Sequence, residues 1–192
     1  MRIQAAIPEG AEAHAAALYW DAFGQKLGMT MGPRDKALRF IQRVMDANHA
    51  ICATDDDGQL LGVVGFKTYD GAFVGGDYSD LVAIYGHIGA IWRAGLLALL
   101  DRDVENKRFL MDGIFVDAAA RGQGIGSALL HTIMQEGRDR GYPELRLDVI
   151  DTNPRAKSLY ERHGFTKLKT SHLGPLRHVF KFRSATTMIK AL

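Results

Sequence analysis

Six residues, Arg121-Gly122-Gln123-Gly124-Ile125-Gly126, constrain this chain more than any other stretch. They follow an apolar run, Phe109 to Val116, and open a second run in which Ile125, Leu129, Leu130 and Ile133 recur at helical spacing. A strand, a glycine-rich turn and a helix in that order aim several free backbone N–H groups at an anion. Three alternate glycines also let a ligand approach the main chain with no Cβ in the way. The arrangement points to a ligand that carries phosphate.

Two common phosphate loops fit these residues badly. A nucleoside-triphosphate loop needs Gly-Lys-Ser/Thr, and here Gly126-Ser127 follows Ile125 with no lysine. A dinucleotide loop needs G-x-G-x-x-G, whereas the third glycine after Gly122 and Gly124 falls one position early, at Gly126. Arg/Gln-x-x-Gly-x-Gly does match, and it resembles the acetyl-CoA pyrophosphate loop of the GNAT superfamily of N-acetyltransferases. A second segment resembles the same family. Asn153-Pro154-Arg155-Ala156-Lys157-Ser158-Leu159-Tyr160-Glu161-Arg162-His163-Gly164-Phe165 matches its Asn-x6-Tyr…Gly-Phe pattern. Physically, Asn153 can cap a helix, and Pro154 at the first helical position loses only an N–H that had no partner. Gly164 suits a left-handed residue just past the helix end, and Phe165 begins the next strand as a core anchor. The two segments occur in family order with a strand, Glu144 to Ile150, between them. The resemblance is close over Phe109 to Phe165 and loose elsewhere.

Composition sets the frame around that loop. At 192 residues, one compact domain over 1–192 is the expectation. Apolar residues at 47% and charged residues at 24% describe an ordinary globular chain. A net charge of +2, with no basic stripe interleaved with aromatics, gives no reason to expect nucleic acid. The lone Cys52 excludes an internal disulfide framework, suits a reducing cytoplasm, and reads as a small buried apolar residue in a strand. Met1-Arg2-Ile3-Gln4 lacks the long apolar run of a signal peptide. Leu81 to Leu100 could pass for a membrane span, but His87 and Arg93 sit near its middle. A mid-bilayer arginine costs roughly 3 kcal/mol on insertion scales. Leu81, Ile84, Tyr85, Ile88, Ile91, Trp92, Leu96 and Leu99 recur every three to four residues, so an amphipathic helix of a soluble protein is expected and no membrane partner.

Read along its length, the chain suggests a strand at Ile3–Ile7 and helices at Glu9–Phe23 and Asp35–Met45 around a Gly-Met-Thr-Met-Gly-Pro loop. Strands Ala50–Thr54 and Leu60–Tyr69 are joined by Asp56-Asp57-Gly58, a hairpin signal. Strand Phe109–Val116, helix Gly124–Arg140, strand Glu144–Ile150 and helix Pro154–His163 follow, then strands near Phe165–Leu168 and Arg177–Met188. This alternation implies an α/β fold on a mixed sheet. The resemblance implies a GNAT-like fold: a mixed, mostly antiparallel central sheet flanked by helices. It departs from the family in one place, because about forty residues, Asp70 to Arg108, stand between the third and fourth strands. An insertion of that length is a lid over the acceptor cleft, a contact in a homodimer, or core packing against the sheet.

The resemblance also implies chemistry. In this family an amine attacks the thioester of acetyl-CoA directly, without an acyl-enzyme, and no metal is expected. Gly122, Gln123, Gly124, Ile125 and Gly126 would receive the pyrophosphate through their N–H groups, Ser127 would add a hydroxyl donor, and Arg121 would add charge or point to solvent. Ile114, Phe115 and Val116 would pair with the pantetheine arm through their main chain and supply an oxyanion donor. Asn153 would touch the same arm or serve only as a helix cap. Tyr160 would be the general acid toward the sulfur, although a phenol near pKa 10 protonates a thiolate near 8.5 only with positioning or a lowered pKa. Asp112 is the candidate general base if partial burial raises its pKa, yet Asp112-Gly113 is also a turn or bulge dipeptide. His87 and Asp148 stand in reserve. Asp77, Asp80 and Asp101 near the insertion would suit a cationic acceptor or be solvated surface charge. The expected activity is transfer of an acetyl group to a primary amine on a small molecule or peptide. The alternative is a non-catalytic acyl-CoA sensor or interaction module on the same fold.

Overall fold

The structure is a computed structural model and describes residues 1–100 and 108–192. Its elements run β1 (Arg2–Ala5), α1 (Glu12–Met31), α2 (Arg34–Val44), β2 (Ala50–Thr54), β3 (Leu60–Lys67), α3 (Tyr78–Ala98), β4 (Arg108–Val116), α4 (Ile125–Asp139), β5 (Glu144–Ile150), α5 (Pro154–Arg162), β6 (Thr166–His172), α6 (Arg177–Phe180) and β7 (Ser184–Ala191). Seven strands form one sheet in the order β1-β2-β3-β4-β5-β7-β6. Every neighbouring pair is antiparallel except β4 and β5, which are parallel and connected through α4.

Helices cover both faces of the sheet, which explains why β2 reads as an unbroken apolar run: all five of its residues are buried. On one face α4 sets Ile125, Leu129, Leu130, Ile133 and Met134 against Val64, Phe66, Met111, Leu145 and Leu147. Leu129, Leu130 and Ile133 are fully buried, and each such burial stabilises the fold by about 1.5–3 kcal/mol. On the other face α1 packs Ala15 and Leu18 onto Cys52, Val63, Phe73 and Phe115. Cys52 is thus the buried strand residue its sequence context suggests, and its thiol donates to the Ala6 carbonyl oxygen at 2.9 Å. Burial pushes that thiol up to about 11.

Three expectations need correction. The Gly28–Pro33 segment is not a loop, because α1 runs on to Met31 before Gly32-Pro33 breaks it. Thr30 and Met31 are buried, and Tyr85 of α3 donates its hydroxyl to the Met31 carbonyl oxygen. Packing there outweighs the weak helix propensity of Gly28 and Thr30. Residues 177–183 are not strand. Arg177–Phe180 forms a helical turn that buries Phe180, and β7 starts only at Ser184.

The third correction concerns the insertion. α3 packs chiefly on α1 and α2 through Leu81 and Ala90, and only its far end, at Leu96, reaches the cluster of Phe180, Phe182 and Ala185. It is capped at its start by Asp77 and kinked at Gly86, whose φ of 71° lies outside the helical region. The kink divides the apolar stripe: Leu81, Ile84 and Tyr85 pack inward, while Ile88, Ile91, Trp92 and Leu99 are exposed. By length and composition this is a helix able to cross a membrane, and 11% of its most apolar window is buried. Asp101 lies outside the described residues.

Candidate functional site

The site begins where two strands part. β4 pairs with β5 only from Arg108↔Glu144 to Leu110↔Arg146, although β4 continues to Val116 and β5 to Ile150. Beyond Leu110, β4 keeps its antiparallel ladder to β3 on one side and has no ladder to β5 on the other. Asp117 donates its N–H to Leu61 of β3. Alternation along a strand then turns the main chain of Phe115 to β3 and those of Ile114 and Val116 toward the gap. Phe115 contributes its ring to the α1-side core instead. The Val116 carbonyl oxygen accepts from Arg121 Nε at 3.1 Å, so the guanidinium folds back onto the end of β4.

The gap leads to the glycine loop. Asp117 accepts from the Ala119 N–H and shapes a single 3-10 turn over Ala118–Ala120. Gly122 and Gly124 then take φ of 85° and 82°, a region costly for any residue with a Cβ. A Cβ on either would meet only open space, so the conformation rather than crowding demands glycine. Gly124 is the N-cap of α4 and has no side chain to satisfy the N–H groups of Ile125, Gly126 and Ser127. Those donors stand uncapped at the positive end of a 15-residue helix. The exposed Gln123 lies between the two turning glycines.

A cleft of about 1280 Å³ joins loop, gap and insertion. Ile114, Phe115, Val116, Arg121, Gly122, Gly124, Ile125, Gly126, Ser127, Asn153 and Tyr160 all line it, as do Asp112 and Asp148. One expected residue engages a partner the sequence did not suggest: the Ser127 hydroxyl lies 2.9 Å from Nε2 of His163. Asn153 accepts from the Ala156 N–H and so caps α5, which leaves its side-chain NH2 group for other contacts. Tyr160 is 5% exposed, and its hydroxyl makes no hydrogen bond among the described residues. Burial raises its pKa well above the ordinary phenol value.

Asp112 sits in the bulge that its sequence context allows. Gly65 pairs with Gly113 but Phe66 pairs with Met111, so Asp112 is the extra residue of a bulge. It is exposed and lines the cleft. The bulge also needs Gly113, because a Cβ there would sit 2.5 Å from Cζ of Phe23. Phe23 and Tyr19 bring the wall of the cleft from α1, and the Asp112 charge adds to the burial that raises the Tyr19 phenol. Tyr19 was not legible as a cleft residue, since an aromatic at i, i+4 from another on a helix reads as core. Of the reserves, Asp148 accepts from the Thr187 hydroxyl and faces Arg146 at 3.7 Å. His87 is exposed on α3 and does not line the cleft. Asp77 caps α3 and Asp80 accepts from Arg43 Nε at 2.8 Å, which accounts for both charges within the fold. Among the described residues, no group of three or more His, Cys, Asp or Glu could hold a metal ion.

An uncapped helix start, glycines without Cβ and a free strand edge thus lie side by side. A linear ligand with an anionic end and an amide-bearing arm fits the residues present. Residues 14–165 match the model of the Acetyltransferase (GNAT) family, and the chain belongs to that family. It is similar to human (Homo sapiens) N-acetyltransferase 8, 40% identical over 73 residues that cover 38% of this chain and 32% of the relative. A thialysine N-epsilon-acetyltransferase of Bos taurus is 37% identical over 60 residues, 31% of this chain and 35% of that protein. The matched stretches thus span about a third of each of these curated relatives. Among solved structures, an N-acetyltransferase from Staphylococcus aureus Mu50 superposes with a TM-score of 0.66 over 99% of this chain and 100% of the other, at 16% identity. That likeness is one of fold.

Proposed function

We propose that the chain is an N-acetyltransferase that moves the acetyl group of acetyl-CoA to a primary amine within a ternary complex. The observation that carries this reading is the parting of β4 and β5 beside the uncapped start of α4, with the Tyr160 hydroxyl, unpartnered among the described residues, in the same cleft. The diphosphate would rest on the N–H groups of Gly124 to Ser127, and the pantetheine amides on the main chain of Ile114 and Val116. Acetyl-CoA would supply a thioester carbonyl open to attack. A backbone N–H of β4 in the gap would donate to the carbonyl oxygen as charge gathers there. Cys52, the chain's single cysteine, is buried outside the cleft, which favours direct attack over a cysteine-bound acyl group.

Tyr160 remains a neutral hydrogen-bond donor across the neutral range, since burial raises its pKa. A phenol so raised is a poor acid toward a solvated thiolate. The leaving sulfur would form in the same dry slot, where an anion is disfavoured for the same reason, so positioning does what a lowered pKa would otherwise do. Asp112 would take the amine proton, directly or through water. The acceptor would enter from the insertion side, between Tyr19 and Phe23 of α1 and Leu81 and Leu97 of α3. The thialysine N-epsilon-acetyltransferase among the relatives acts, by its name, on an amine at the end of a side chain, and acceptors of that kind belong in the first panel. We place the reaction in the cytoplasm on the strength of the unpaired cysteine.

Steady-state release of free thiol from acetyl-CoA across an amine library tests the proposal. Thiol release that depends on one class of amine supports it. Tight binding of acetyl-CoA with no thiol from any amine would instead identify a sensor or interaction module.

A further inference from the structure

Ser127 stands in the first turn of α4, and its hydroxyl has one proton to give. If that proton goes to Nε2 of His163, 2.9 Å away, Oγ presents only lone pairs to an incoming anion. If Nε2 carries a proton and donates to Oγ, the hydroxyl proton is free to turn into the cleft. An anion seated on the loop stabilises only the second arrangement.

We infer that His163 is a positioning residue for the bound diphosphate, donating from Nε2 to Ser127 so that the serine hydroxyl donates to a phosphate oxygen. This rests on the coenzyme reading of the loop. The groups that face His163 explain why it waits for a ligand. His131 of α4 meets its ring edge-on at 5.0 Å, Lys190 of β7 donates to its carbonyl oxygen, and Arg162 precedes it at the end of α5. Burial first, then His131, Lys190 and Arg162, hold the imidazole below the ordinary histidine range. Among the described residues, the charges that act on it are cationic or potentially so, and a diphosphate would supply a counter-charge. With the diphosphate bound, the imidazole pKa rises above its ligand-free value. Affinity therefore increases as pH falls through the bound-state pKa, and the gain is complete below the free-state pKa.

The test measures the Kd of dephospho-CoA by calorimetry from pH 8 to pH 5.5. That probe lacks the 3′-phosphate, whose second ionisation near pH 6 would add its own slope. Wild type should tighten about threefold or more as pH falls over the range. His163→Gln keeps an N–H donor for Ser127 but does not titrate, so it should hold the pH 8 affinity with a flat profile. His163→Leu should bind more weakly at every pH. A His163→Leu profile that overlays wild type overturns the inference, because mere packing would survive that change. Nitrogen NMR of the wild-type imidazole gives a check that needs no variant: its titration midpoint must rise on adding dephospho-CoA, and an unmoved midpoint overturns the inference. Wild type that fails to bind dephospho-CoA at any pH overturns the coenzyme reading, and this inference with it.

Discussion

At the start of α3, Asp77 accepts from the N–H groups of Ser79 and Asp80, and Asp80 accepts in return from the Asp77 N–H. At the start of α4, Gly124 offers no side chain, and the first donors of the helix stand without a cap beside the cleft. Both helices leave a turn with the same set of orphan N–H groups. One set is satisfied by the protein for the sake of the fold, and the other is held back. α5 falls between them: Asn153 caps its start with an oxygen and keeps its NH2 group to spare. Leaving donors unmet lowers stability a little, and it is tolerated here because α4 is pinned by fully buried Leu129, Leu130 and Ile133. A helix anchored that firmly by its middle can leave its first turn to a ligand.

The sharpest way to break the contrast is to make α4 begin like α3. Gly124→Asp sets a carboxylate over the free N–H groups, where a Cβ meets only open space. Acetyl-CoA affinity should fall about 100-fold or more, since charge-assisted hydrogen bonds contribute about 1.5–3 kcal/mol each. The melting temperature should fall modestly, because a side chain at φ of 82° is strained. Calorimetry and thermal denaturation read both arms, and an unchanged Kd would mean the open donors are not for the coenzyme.

Next in size is the unpartnered hydroxyl. Tyr160→Phe should lower kcat by about tenfold to a hundredfold, as loss of a positioned donor does. Acetyl-CoA affinity should stay within about threefold, because ring burial survives. Equal turnover by both proteins would leave Tyr160 a packing residue beside Phe165.

Asp112→Asn should have a smaller effect that depends on pH. The rate should drop about tenfold at pH 7 and less as pH approaches 10, where a free alkyl amine loses its proton unaided. A drop of the same size at every pH would confine Asp112 to shaping the bulge. The smallest effect belongs to the closed helix start. Asp77→Ala should cost about 1 kcal/mol of stability, the usual value of such a cap. Denaturant unfolding would show it, with acetyl-CoA affinity unchanged. Weakened coenzyme binding there would tie the two helix starts together and blur the distinction.

How much of this was legible depended on the range of the interactions. The glycine loop, the Asn153 cap and the order of elements from Phe109 to Phe165 are local, set by backbone conformations that few residues adopt and by neighbours three or four positions away. Those readings carried over to the structure. The end of α1 was misread because Gly28 and Thr30 look like a turn, and only packing against α3 keeps them helical. Arg177–Phe180 was misread for the same reason, since Phe180 folds into a small core shared with Phe182 and Ala185. The partner of Ser127 lies 36 residues away, and no spacing announces it.

The sequence by itself determined the glycine turn and the uncapped start of α4, because positive φ at Gly122 and Gly124 and the absence of a capping side chain are properties of a few adjacent residues. Only the tertiary structure decided what surrounds that point. The parting of β4 from β5, the ring of Phe23 over Gly113, the Asp112 bulge and the insertion helix along the cleft all arise from contacts between distant segments. Such contacts depend on how whole elements pack, and packing energy is not written in any one stretch of chain.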